Sequence, residues 1–166
     1  MLPTELINIA YQENIEIEPK CQIPILHLMQ ADFGPFSPLE IPKIPIYIAL
    51  LLKKANQCRI RLPTFFDPNI LREILQNEKD NDEYTQIHPF TFELIGLLEH
   101  CYNVGNVDEI KILINEIKTI RHQKTHNGLK RIDSRALNLN NLTSWEFNEF
   151  KEFLLNVMGS AKKLEE

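Results

Sequence analysis

The sequence predicts a mainly α chain in which a small β-rich N-terminal domain, residues 1–44, precedes a helical domain of about five helices, residues 45–166. Three observations carry this. All ten prolines lie at or before Pro89, and eight of them at or before Pro63, so the chain changes character midway. Apolar residues alternate with polar ones early, at the period of two that a strand requires, and recur every three to four residues later, as a helix requires. Helix-start signatures then punctuate the second half.

Residues 13–18 alternate Glu or Asn with Ile, and residues 23–28 do so more loosely. Each run is bounded by Pro19, Pro24 or a turn cluster, which predicts two or three strands, too few to stand alone. Residues 34–58 read GPFSPLEIPKIPIYIALLLKKANQC. The apolar core of that run is half of the ~18–20 residues that cross a hydrocarbon layer, so no membrane span or membrane partner is expected. Pro45 suits a helix start, and no breaker follows before Asn56-Gln57, which predicts a short buried helix entered through a proline-rich hinge.

Asp67-Pro68 combines an N-cap with proline at the first helical position, and Ile70, Leu71, Ile74 and Leu75 give the ensuing helix one face. The acidic residues 78–83 read as its solvated end. After Pro89 a further helix is expected over residues 90–102, apolar on more than one stripe through Phe90, Leu94, Ile95, Leu97, Leu98 and Cys101. Asn106-Val-Asp-Glu109 caps a long helix carrying Ile110, Leu113, Ile114, Ile117 and Ile120. Asn127-Gly128 has the chemistry of a helix end. Thr143-Ser-Trp-Glu146 is a capping box, with Leu142 and Phe147 placed as a hydrophobic staple. Phe147, Phe150, Leu154, Val157 and Met158 form the predicted buried stripe of this last helix, and Gly159 its end.

Composition narrows the chemistry. The net charge of −5 excludes a surface that neutralises phosphates over its whole extent. Cys21, Cys58 and Cys101 are odd in number and widely spaced, which predicts buried free thiols in a reducing compartment, with neither a disulfide framework nor a structural zinc site. No secretory signal opens the chain. No Gly-rich phosphate loop or nucleophile elbow occurs, and no cofactor is expected. His122 and His126 have the i, i+4 spacing of zinc proteases but lack the glutamate base and a third ligand. Arg121-His-Gln-Lys-Thr-His126 resembles the R-x4-H motif of HEPN helical ribonucleases, in which Arg121 would stabilise phosphorane charge and His126 would transfer a proton. Lys118, Arg121, Lys124, Lys130, Arg131 and Arg135 face only Asp133 between residues 118 and 135. They form the one candidate nucleic-acid or protein contact, and the alternative to an enzyme would be a stand-alone nucleic-acid-binding adaptor.

The order of landmarks has a further meaning. Phe33-Gly-Pro-Phe-Ser-Pro38, Ile44-Pro-Ile-Tyr-Ile-Ala49 with Leu52-Lys-Lys54, and Cys58-Arg-Ile60 before Pro63-Thr-Phe-Phe66 come first. His88-Pro-Phe90 with Glu93-Leu-Ile-Gly-Leu-Leu98, Asp108-Glu-Ile110, and Asn141-Leu-Thr-Ser-Trp-Glu-Phe147 follow. In this order and spacing the chain resembles the GINS complex family, in its branch named partner of Sld five, subunit two, from about residue 10 to residue 158. Tyr47 and Phe65 stand where that family prefers tryptophan, and its long helix continues where Asn127-Gly128 lies.

The resemblance implies a non-catalytic subunit of a four-chain GINS assembly. With three other GINS subunits, the MCM ring and a Cdc-forty-five-type protein, it would form the replicative helicase in the nucleus, with DNA contact secondary. The residues expected at partner interfaces are Tyr47, Ile48 and Leu51, Ile117 and Ile120, and Trp145 and Phe153. In the last helix the large apolar groups exceed what one buried stripe needs.

Overall fold

The computed structural model describes residues 3–29, 31–102, 104–129 and 140–165. The chain opens with α1 (Pro3–Ala10), where the sequence analysis assigns no element. Its signals are short: a proline in the first turn, Glu5 beside the helix N-terminus, and Leu6 and Ala10 four apart, both buried.

The predicted first strand is β1 (Asn14–Pro19), with Ile15 and Ile17 inward and Glu16 and Glu18 outward. The second reduces to β2 (Leu26–His27), which pairs with β3 (Asp32–Phe33) in a separate two-stranded sheet. The main sheet adds β4 (Lys43–Pro45), β5 (Cys58–Arg61) and β6 (Cys101–Tyr102), in the order β4-β1-β5-β6. β1 is antiparallel to both neighbours, with Glu16 opposite Lys43 and Glu18 opposite Arg59. β6 runs parallel to β5.

The apolar run becomes α2 (Ile46–Lys54). Ile46, Ile48, Ala49 and Leu52 are buried, and the helix packs on β1, β4 and β5. This corrects the expectation that α2 belongs to the core of the helical domain. A helix that leaves β4 directly and returns through the Asn56 turn (φ 58°) into β5 has no choice but to lie on the sheet it connects. The prolines at 35, 38 and 42 lie in the β3–β4 connection rather than at an interdomain hinge.

α3 (Pro68–Asp80) starts as predicted, with the Asp67 carboxylate accepting from Asn69 N–H at 2.8 Å. Residues 93–100 are a 3-10 helix that ends in β6, where a continuous helix was expected. Leu94 and Leu97, like Ile95 and Leu98, are three apart, a spacing that suits both helix types. The open edge of β5 then takes up Cys101 and Tyr102. α4 (Val107–Leu129) passes through Asn127-Gly128, as the family resemblance implies, and Asn106 Oδ1 accepts from Glu109 N–H at 3.2 Å. α5 (Ser144–Glu165) runs through Gly159 instead of stopping there.

The architecture is thus mainly helical with an N-terminal sheet. One apolar core runs from Ile15 and Ile60 of the sheet through Leu94 and Leu98 to Ile110, Ile114 and Ile117 of α4. No helix among the described residues is long and apolar enough to cross a membrane. Cys58 is buried as expected, but Cys21 is exposed and Cys101 only half-buried.

Candidate partner interface and the ionic hub beneath it

The basic stretch of α4 divides in two when folded. Arg121 points inward and is 0% exposed. Its Nε donates to Glu146 Oε1 at 2.7 Å, and Nη1 donates to Glu78 Oε1 at 2.6 Å and to the Thr85 carbonyl at 3.0 Å. Nη2 donates to the Asn141 carbonyl at 2.7 Å and to Glu146 Oε2 at 2.9 Å. A guanidinium carries five N–H donors, and here each has its acceptor. Burial works against the charge of Arg121, but the carboxylates of Glu146 and Glu78 outweigh it and hold its pKa above the ordinary arginine value. The Tyr84 ring lies 5.0 Å from the guanidinium carbon.

This arrangement removes Arg121 from both roles that the sequence suggested. It presents no donor to a phosphate or to a partner, so the HEPN-type pairing with the exposed His126 has lost its arginine. Glu78 is likewise corrected: rather than part of a solvated helix end, it is 0% exposed and also accepts from Lys124 Nζ at 2.5 Å and Thr85 N–H at 3.0 Å. The capping box forms as predicted. Thr143 N–H donates to Glu146 Oε2 at 2.9 Å, and Glu146 N–H to Thr143 Oγ1 at 3.3 Å. One carboxylate therefore caps α5 and anchors α4, which fixes both helices against the end of α3.

The remaining basic candidates are spent differently. Lys124 is held by Glu78 and the Glu83 carbonyl, and Lys118 lies over the rings of Trp145 (5.1 Å) and Phe92 (5.9 Å). Lys130, Arg131 and Arg135 lie outside the described residues. His122 packs against Phe150, ring centroids 5.3 Å apart, and among the described residues no group of three or more His, Cys, Asp or Glu could hold a metal.

The expected interface residues also divide. Ile48 and Ile117 are 2% exposed and belong to the core, because each lies on the same helix face as its buried neighbours, Leu52 and Ile114. Tyr47, Ile120 and Trp145 sit at the core's edge, whereas Leu51 (60%) and Phe153 (50%) stand out in solvent. Phe147, expected in the buried stripe, is 47% exposed. With Leu6, Ile9, Phe90 and Leu142 it lines an apolar groove of about 560 Å³ between α1 and α5. The side chains of Leu154, Val157 and Met158 lie outside the described set. Sequence reasoning missed Ile112, 58% exposed on α4. Its only signal is that it falls off the 110/113/114/117 stripe.

Comparison with known proteins covers nearly the whole chain. Residues 2–61 match the family described as the PSF2 N-terminal domain, and residues 65–165 match the GINS complex protein helical bundle domain. A probable DNA replication complex GINS protein PSF2 of Encephalitozoon cuniculi is 45% identical over 166 residues, covering 99% of this chain and 95% of that protein. The GINS protein psf2 of Schizosaccharomyces pombe is 29% identical over 98% of this chain and 90% of its own length. Human PSF2 is 28% identical over 94% and 88% respectively. With both halves of the fold matched in order and a relative this similar over almost its full length, the chain belongs to the PSF2 family of GINS complex proteins.

Proposed function

We infer that this protein is a non-catalytic subunit of a heterotetrameric GINS complex, acting in DNA replication in the nucleus as part of the helicase that also contains the MCM ring and a Cdc-forty-five-type protein. The observation that carries the reading is the similarity to GINS proteins over nearly the whole chain. The surface supports it. Leu51, Ile112, Phe147, Phe153 and Leu155 are each between 47% and 60% exposed, and such groups in quantity suit an assembly in which partners cover them. Of the seven residues expected at partner contacts, Tyr47, Leu51, Ile120, Trp145 and Phe153 keep that assignment here, joined by Ile112 and Phe147. We divide the chain after β5, near residues 62–64, because α2 packs on the sheet and the two family matches part there.

The test is co-expression with the three other GINS chains of the source organism, followed by size-exclusion chromatography with light scattering. A one-to-one-to-one-to-one particle is expected, and Leu51→Asp or Phe153→Asp should weaken it while leaving the helical content unchanged. A well-behaved monomer or homodimer that ignores those chains refutes the reading.

A further inference from the structure

Glu93 opens the 3-10 segment and is 6% exposed, and both its carboxyl oxygens are buried without a hydrogen-bond partner among the described residues. An ionised carboxylate so placed is costly, and a fold that keeps one normally sets a cation against it. Two nearby cations are already engaged: Arg121 with Glu146 and Glu78, and Lys124 with Glu78. Lys118 is not. Among the described residues no carboxylate lies within ion-pairing distance of it, and its ammonium rests instead 5.1 Å from the Trp145 ring and 5.9 Å from that of Phe92, the residue before Glu93.

The groups that act on Glu93 come from several elements. Burial, the largest influence, pushes its pKa up; its own backbone N–H and Lys118 of α4 pull it down, and Glu146 of α5 adds to the rise. α1, packed against the same segment, adds only the exposed Glu5. Lys118 is therefore the cation to which an ionised Glu93 can turn. A cation lying on rings beside an unpaired carboxyl is the arrangement that a protonated acid allows. Ionisation reverses the preference, because leaving a buried carboxylate uncompensated costs several times what contact with a ring returns. The flexible stem of lysine lets the ammonium pass from one position to the other without displacing its helix.

We propose that Lys118 is a proton-linked toggle: it covers the Trp145 and Phe92 rings while Glu93 carries a proton, and it pairs with the Glu93 carboxylate once that proton has left to solvent. The consequence falls at Trp145. In the acid state this ring meets its surroundings with a positive charge on its face, and in the ionised state the face is bare. Trp145 is assigned above to partner contact, so the toggle would make that contact sensitive to pH. This last step rests on the proposed assembly, whereas the toggle itself uses only residues of this chain.

Nuclear magnetic resonance on the full chain tests it. Trp145 is the single tryptophan, so its indole N–H gives one peak, and the Glu93 carboxyl carbon gives the second probe. On titration the two are expected to move together, with one midpoint above the ordinary glutamate value of about 4.3. Glu93→Gln should remove the movement of the indole peak that tracks this midpoint. Lys118→Met should also remove it and should shift the Glu93 titration to higher pH, because the cation favouring the ionised form is gone. His122→Gln removes another titratable group near α5 and should leave both curves in place. An indole peak that moves alike in the parent and in Glu93→Gln, one that does not move in the parent, or a Glu93 titration indifferent to Lys118→Met overturns the proposal. Circular dichroism of each variant across the titration, expected to match the parent, separates loss of the toggle from loss of the fold.

Discussion

Replacing Arg121 by alanine strands two buried carboxylates, and the size of the effect follows from what each keeps. Removing one partner of a buried ion pair costs about 3–5 kcal/mol, chiefly because the remaining charge is left without compensation in a poorly solvating site. Glu78 retains Lys124 Nζ and Thr85 N–H, and Glu146 retains the two donors of Thr143, so the loss falls at the lower end, about 3 kcal/mol. A domain of ordinary stability, about 5–15 kcal/mol, would lose a substantial part of it. With a urea dependence of about 2 kcal/mol per molar, the unfolding midpoint should drop by roughly 1.5 M. The single tryptophan, Trp145, is next to Glu146 and reports the transition by its fluorescence. The triple variant Arg121→Met, Glu78→Gln, Glu146→Gln leaves no orphaned carboxylate, and Lys124 keeps the Glu83 carbonyl, so it should recover most of the loss. If Arg121→Ala shifts stability by only the ~0.2–1 kcal/mol of an exposed pair, or if the triple variant is worse than the single one, the hub is not what holds α3, α4 and α5 together.

Glu93 supplies a pH prediction. Both its carboxylate oxygens are buried without a hydrogen-bond partner among the described residues, and burial pushes its pKa up. The folded chain therefore binds this proton more tightly than the unfolded chain, so stability is full below the unfolded value of about 4.3 and falls as pH rises through the folded one. Glu93→Gln should raise the melting temperature at neutral pH and lose that advantage near pH 4; an advantage equal at both pH values refutes the assignment. Thr143→Ala removes the hydroxyl half of the α5 capping box and should cost about 1–2 kcal/mol by thermal unfolding, with an unchanged melt counting against the cap.

Much of this was legible in the sequence where the signal is local. Caps act within four residues, so Asp67, Asn106 and Thr143-Glu146 mark the starts of α3, α4 and α5 from the chain alone, and alternation marks β1. The order of short motifs was enough to identify the family. Tertiary structure decided everything that depends on residues far apart meeting. Residues 93–101 are compatible with either helix type by spacing, and pairing with β5 settles their end as strand. α2 is apolar whichever surface it covers, and its direct continuity with β4 puts it on the sheet. Arg121 and Glu78 read as exposed charges in a polar sequence context; they are buried because partners 43 residues apart, with Glu146 another 25 away from Arg121, converge and compensate one another's desolvation. Sequence patterns report the polarity of a side chain, but whether a charge is in water is decided by which opposite charge the fold brings to it.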